Sequence, residues 1–326
     1  MPQINGQEVG PIGFGLMGLT WRATPPPEEQ AFAAMRAALD NGCNFWNGGE
    51  IYGTPSYNSL VLLERYFAQY PEDADKVVLS VKGAAGPAGP DGSPEGIRRS
   101  IDNVLAQLGG RKRLDIFECA RRDPGVPMQD TFAAMQEYVD RGQLGGISLS
   151  EVSAATIHEA VKVAKIVAVE VELSLWATDV LTNGVAAACA QYNIPLVAYS
   201  PIGRGMLTGQ IKSIDDIPKD DARRHFPRFF PENFDINLQL MKQVEQLAQK
   251  KGCTPAQLAI SWTKSLSKRP GMPVIIPIPG ATTAERVNEN SKAVELSIAE
   301  LDEIDTTLAG FEVQGARYPP YIPMDT

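Results

Sequence analysis

Two residues of this chain have types and positions that suggest chemistry together, Tyr52 and Lys82. Tyr52 falls near the end of FWNGGEIYG (45–53), and Lys82 ends the strand-like run VVLSVK (77–82). A free phenol has a pKa of about 10. An ammonium beside it stabilises the phenolate and lowers that value. A proton donor placed in this way contributes roughly 10²–10⁴-fold to a rate, and it suits reduction of a carbonyl, whose emerging alkoxide needs a proton. The alternative is a packed tyrosine and a solvated lysine. The two residues by themselves leave both readings open.

A second motif misleads. Gly13-Phe14-Gly15-Leu16-Met17-Gly18 spells GxGxxG, but a dinucleotide fingerprint must open a helix whose N-terminus receives the pyrophosphate. Here LTWRATPPP follows (19–27), and proline is not tolerated inside a helix. The motif reads instead as a loop at a strand end, where Gly15, Met17 and Gly18 bring backbone close to a ligand. Trp21, Trp46, Tyr52 and Trp176 stand at predicted strand ends and offer aromatic walls for a flat ring. Simple packing is the alternative for each tryptophan.

Positioning these residues requires a regular frame. Eight short apolar runs end near Gly15, Trp46, Lys82, Cys119, Ser150, Leu173, Ser200 and Pro279. Between them lie segments with apolar residues at i, i+3 and i+4, among them 30–39, 95–108, 131–139, 157–163, 185–192, 238–249 and 284–294. Continuous apolar strands alternating with helices predict a parallel sheet covered by helices, and eight such units predict a (β/α)₈ TIM barrel. The chain reads as a single domain, 1–326, with the barrel core at about 10–308. Residues 202–233, after the seventh strand, are too long and polar for a minimal connection. They read as a loop over the ligand, and the extended C-terminal tail 309–326 as a second wall. An inert surface insertion is the alternative for the loop.

Composition narrows the partners. With 326 residues, 44% hydrophobic and 21% charged, the chain can bury one large core. A net charge of -9 argues against nucleic acid and anionic membranes. Cys43, Cys119, Cys189 and Cys253 lack metal-ligand spacing, so no metal site is expected, and a reduced intracellular protein is. MPQINGQEVG lacks a signal-peptide pattern, and no apolar stretch approaches ~20 residues. Cytoplasmic placement is the expectation, with the nucleus left open. The sequence is silent on oligomeric state.

FWNGGEIYG, VKG, GISLSE (146–151), AYSPIGRG (198–205) and IPIPGATTAERVNEN (276–290), in that order and spacing, resemble the aldo-keto reductases over about residues 10–308. The resemblance implies a barrel that binds NADPH extended across its C-terminal face. It makes Tyr52 the general acid and Lys82 the lysine that lowers its pKa. Asn47 stands where the family usually has an aspartate paired with that lysine, and Ala120 where it usually has a histidine. The only histidines are His158, in a predicted helix, and His225, in the long loop.

For the cofactor, Ser150 matches a ligand of the nicotinamide carboxamide. Glu151 and Glu170 stand in place of the family's asparagine and glutamine there, and a carboxylate cannot donate to the amide oxygen. Tyr199 matches the ring that stacks on the nicotinamide. Ser200, Pro201, Gly203, Gly205 and Leu207 fall along the pyrophosphate. Arg286 matches the arginine for the 2′-phosphate, supported by Thr282 and Thr283 where Gly280 replaces a common lysine. Glu289 and Asn290 match adenine contacts.

Without the aspartate, the Lys82 charge is expected to be less neutralised and the Tyr52 pKa to fall further. Glu118, two residues before Ala120, projects to the same strand face, where a water could stand in for the imidazole. The resemblance implies a small-molecule aldehyde substrate, most specifically pyridoxal reduced to pyridoxine. The alternatives are another carbonyl of fungal secondary metabolism, or an NADPH-sensing regulatory subunit with little turnover.

Overall fold

The protein is described by a computed structural model covering residues 1–322 and 324–325. Eight parallel strands form its centre: β1 (Phe14–Gly15), β2 (Phe45–Gly49), β3 (Val78–Gly83), β4 (Leu114–Cys119), β5 (Leu144–Ser150), β6 (Ile166–Glu172), β7 (Leu196–Tyr199) and β8 (Ile275–Ile278). They neighbour one another in chain order, and each pairing is parallel. The sheet closes where Gly13 N–H donates to Pro277 O (2.9 Å) and Gly15 N–H to Pro279 O (3.2 Å). Close packing against β2 and β8 is why glycine occupies the first positions of GxGxxG. A Cβ on Gly13 would lie 2.7 Å from Phe45 O, and one on Gly15 would lie 3.0 Å from Ile278 O. The motif then turns through a single helical turn, Met17–Thr20. It opens no cofactor helix.

The predicted (β/α)₈ barrel is therefore the observed one, and local chemistry fixes its helices. Ser93 caps helix Pro94–Leu108 by accepting from Gly96 N–H, and left-handed Gly109 ends it. Thr254 and Gln257 form a capping box on helix Pro255–Ser265. Several boundaries differ from the sequence reading, two of them near the C-terminus. The helix expected at 238–249 runs Pro231–Lys251. Its first turns are polar, and what they bury is Phe234 together with the Asn237 side chain, which exchanges hydrogen bonds with the Gln314 backbone. The pattern expected over 284–294 stops at Ser291, and a separate helix follows, Ile298–Ala309.

Alternation along the strands sorts the barrel interior into layers. Phe45, Val78, Ile116, Ala168, Val197 and Ile276 fill the N-terminal end with Ile4 and Val9. Ile4 belongs to a hairpin, Gln3–Ile4 and Gln7–Glu8, that plugs this end; the turn's Asn5 Nδ2 donates to Gly145 O (2.8 Å). Two residues further along β2, β4 and β6 the interior turns polar, with Asn47, Glu118 and Glu170. The apolar plug thus sets the depth at which charge begins. No helix among the described residues is long and apolar enough to cross a membrane.

Candidate active site

Lys82, near the end of β3, is buried and reaches across the interior to three partners. It donates to Asn47 Oδ1 (3.1 Å) on β2 and to Glu170 Oε1 on β6, and it is ion-paired with Glu118 Oε1 (3.0 Å) on β4. Each partner is itself held. Asn47 Nδ2 donates to Glu170 Oε2 (2.6 Å), and Ser148 Oγ donates to Glu118 Oε2 (2.6 Å). Burial opposes the Lys82 charge, but Glu118 and Glu170 outweigh it and keep the ammonium protonated well above its ordinary range. Burial pushes the Glu170 carboxyl well up; Lys82 pulls it back and Glu118 adds to the rise.

This arrangement corrects two expectations. Glu170, read as a carboxamide contact, has both its oxygens bonded inward, to Lys82 and Asn47. Nor is the Lys82 charge under-neutralised, because two carboxylates from β4 and β6 stand where one from β2 was missed.

Tyr52 lies just beyond β2, in a turn whose backbone is pinned from two sides. Its carbonyl accepts from Thr20 Oγ1 (2.6 Å) and Ser59 N–H (3.2 Å). Gly49 leaves room for the ring, since a Cβ there would sit 2.8 Å from Tyr52 Cγ. The ring stacks on Trp21, with centroids 5.4 Å apart and planes 27° apart. The residue as a whole is half-buried, yet burial of the hydroxyl is the main influence on its titration. The phenol is pushed up to about 12; Lys82 lowers it, while Glu170 and Glu118 raise it. The lysine acts in the expected direction, but burial and its own two counter-charges win. The expectation of a net depressed phenol is overturned for this state of the site.

The C-terminal tail crosses the mouth of the barrel. Tyr318 and Tyr199 share a hydroxyl–hydroxyl hydrogen bond of 2.6 Å. Arg317, buried, pairs with Glu151 (3.1 Å) and Glu172 (3.2 Å), and Arg204 pairs with Glu172 (3.0 Å). The Arg204 guanidinium also lies over the rings of Phe226 (4.1 Å) and Tyr318 (4.5 Å). The long loop and the tail therefore meet through Arg204, Phe226 and Tyr318. Burial would raise the Glu151 carboxyl, but Arg317 and Arg121 hold it below its ordinary value. Burial and Glu151 push the Tyr199 phenol well up. The position read as a carboxamide contact, Glu151, is thus engaged by the tail. Sequence reasoning missed Glu172, Arg204, Arg317 and Tyr318; the only hint was an Arg-Tyr pair in a segment without helical pattern.

Other expected positions divide. Trp46 is no substrate wall. It points away from the interior that Asn47 faces, its Nε1 donates to Cys43 O (2.9 Å), and it packs on Phe14, Tyr66 and Phe67. Trp176 is buried edge-on to Phe229 (5.2 Å) and borders a cavity of about 260 Å³ that does not reach Tyr52. Ala120 is buried, and no imidazole replaces the missing one: His158 Nδ1 is bonded to Tyr192 OH (2.9 Å) on the outer helices, and His225 is exposed.

The residues for NADPH can be tested on two observations. Ser150 Oγ is buried without a hydrogen-bond partner, as a side chain awaiting an amide would be. Arg286 is exposed in the first turn of helix Ala284–Ser291, which Thr283 caps, and its guanidinium donates to the Gln210 amide oxygen (2.7 Å). An exposed guanidinium at a helix N-terminus fits a phosphate. Exposed Gly280, half-buried Thr282 and half-exposed Met17 border the same edge, and a Cβ on Gly18 would reach Thr282 at 3.9 Å. Ser200, Gly203, Arg204 and Gly205 all have positive φ, which folds the segment after β7 back on itself and buries Pro201 and Leu207. Asn290 is buried and Glu289 half-buried. The donor set fits the group, apart from Glu151 and Glu170.

Comparison with known proteins agrees with the fold. The model of the Aldo/keto reductase family matches residues 11–309. The chain is 43% identical to a probable pyridoxal reductase 2 of Schizosaccharomyces pombe, covering 98% of this chain and 97% of that protein. It is 38% identical to a putative pyridoxal reductase of Saccharomyces cerevisiae (94% and 95% covered). An NADP(+) aldo-keto reductase of S. pombe is 35% identical (98% and 94%). Among solved structures, a glycerol dehydrogenase from Gluconobacter oxydans superposes with a TM-score of 0.83 at 21% identity, covering 98% of each chain, and shares the fold.

Proposed function

Because the chain belongs to the aldo/keto reductase family, we propose that it reduces an aldehyde to a primary alcohol with NADPH, and that the aldehyde is pyridoxal, giving pyridoxine. The observation that carries the proposal is the buried Lys82 ammonium, which is the main influence lowering the pKa of the Tyr52 phenol at the barrel mouth. The substrate rests on the two pyridoxal reductases above and on the flat, half-exposed Trp21 ring stacked on Tyr52.

NADPH supplies hydride when bound. The protein's part is to hold the reactants and move one proton. Ser150 Oγ would take the carboxamide, and Arg286 with Thr283 the 2′-phosphate, which is the reason to prefer NADPH to NADH. Tyr52 OH gives its proton to the carbonyl oxygen as the alkoxide forms. Lys82 then stabilises the phenolate left behind, and Asn47 Oδ1 keeps the ammonium aimed. With Ala120 in place of an imidazole, no second acid polarises the carbonyl, so the site suits an easily reduced aldehyde better than a plain ketone.

Steady-state oxidation of NADPH with pyridoxal tests the proposal. Tyr52→Phe should lose roughly 10²–10⁴-fold in kcat with cofactor binding intact. A Tyr52→Phe variant as fast as the parent would rule out Tyr52 as the donor.

A further inference from the structure

Resting on the Tyr52–Lys82 reading above, we propose that Glu170 is the positioning residue for Lys82, supplying from β6 the counter-charge that Asn47 does not supply from β2. The hydrogen bonds show the exchange atom by atom. Asn47 uses both ends of its amide as a bridge: Oδ1 accepts from Lys82 Nζ (3.1 Å), and Nδ2 donates to Glu170 Oε2 (2.6 Å). Glu170 Oε1 takes the other contact with Lys82. An aspartate at 47 and a glutamine at 170 would preserve every one of these contacts. The bond between them would simply reverse, with the glutamine amide donating to the aspartate. Charge at the site would also be unchanged, one carboxylate having moved across the barrel.

Glu118 completes the group. Ser148 holds it, and it touches Lys82 from β4 at 3.0 Å. Burial and the neighbouring Glu118 work against the Glu170 charge, and the Lys82 ammonium works for it. The titratable groups in reach of Lys82 are thus Glu118, Glu170 and Tyr52. Removing the Glu170 carboxylate withdraws negative charge from both Lys82 and Tyr52, so both lose protons more easily and the alkaline limb of activity moves to lower pH.

Four proteins test this: the parent, Glu170→Gln, Asn47→Asp and the double variant. Each is assayed for kcat with pyridoxal against pH, for NADPH affinity by quenching of protein fluorescence, and for melting temperature. Glu170→Gln should lower kcat about tenfold or more and shift the alkaline limb down, with NADPH affinity within about twofold of the parent. Asn47→Asp alone should lower kcat and melting temperature, because it adds a third buried carboxylate. The double variant should return both to near the parent. The proposal is overturned if Glu170→Gln keeps the parent's kcat and pH profile, or if its main effect is on NADPH affinity, as a carboxamide contact would give. It is also overturned if the double variant melts no higher than the singles or does not fold, since it conserves every contact and charge. If the parent itself does not turn over pyridoxal, the proposed activity fails, while the melting temperatures of the four proteins still decide the exchange.

Discussion

Arg317, eight residues beyond the last helix, is ion-paired with both Glu151 and Glu172 inside the barrel mouth, at 3.1 and 3.2 Å. A tail is usually the least ordered part of a domain; this one carries the cation that makes two buried carboxylates tolerable. Removing one partner of a buried pair costs at most about 3–5 kcal/mol, and here Arg204 still pairs with Glu172 and Arg121 still acts on Glu151. Arg317→Ala should therefore lower the melting temperature far more than a surface arginine such as Arg65, and denaturant unfolding of the two variants measures the difference. The pair also predicts a pH dependence. Glu151 is held below its ordinary value, so its contribution is present above the unfolded carboxyl pKa of about 4.3 and is lost as pH falls through the folded value. Arg317→Ala should flatten that acid limb.

The Tyr52 phenol, pushed up to about 12, is a proton donor throughout the neutral range and a poor base. Pyridoxal reduction should therefore be nearly flat with pH around neutrality. Oxidation of pyridoxine, which needs the phenolate, should climb steadily as pH rises. Initial rates in both directions over pH 6–10 (roughly two units either side of 8) check this; an oxidation rate that saturates near neutral pH would place the phenol far lower.

Trp21 and Trp46 show how much was legible in the sequence. Both read in the sequence as aromatic walls at strand ends, whereas Trp46 lies inside β2 and Trp21 follows the turn Met17–Thr20. The strand period distinguishes Trp46, because Asn47 faces the interior and its neighbour must face the helices. Trp46→Ala should then cost about 3–5 kcal/mol of stability and leave substrate affinity alone if the protein folds. Trp21, 52% exposed, should do the reverse: Trp21→Ala should keep the melting temperature and raise KM for pyridoxal. Thermal unfolding beside steady-state kinetics separates the two.

The same contrast explains what sequence could and could not supply. The barrel was legible because buried parallel strands are continuous apolar runs and their helices carry caps such as Ser93 and Thr254. Tyr52 and Lys82 were legible as types at strand ends. The contacts of Glu118, Glu170, Glu151 and Arg317 were not, because each depends on which residues of distant strands share one layer of the interior. Lys82 and Glu170 are separated by 88 positions, and Glu151 and Arg317 by 166. No local pattern encodes such a meeting. A carboxylate at an interior position was visible, but the partner that makes it stable was not.

Arg286 offers the last test, of the cofactor itself. Its guanidinium is exposed beside a helix N-terminus and donates to a neutral amide, Gln210. A phosphate there would gain charge-assisted, bidentate hydrogen bonds that a ribose hydroxyl cannot replace. Arg286→Ala should weaken NADPH binding about tenfold or more while leaving NADH binding nearly unchanged, because NADH has no 2′-phosphate to lose. The ratio of the two affinities, measured by fluorescence titration, is the decisive quantity: a general defect in the loop would lower both together. Raising the salt concentration should weaken NADPH binding in the parent and do so much less in the variant, since screening acts on the pair that the variant lacks. If both cofactors weaken equally, Arg286 shapes the groove rather than reading the phosphate, and the preference for NADPH must rest on Thr282 and Thr283.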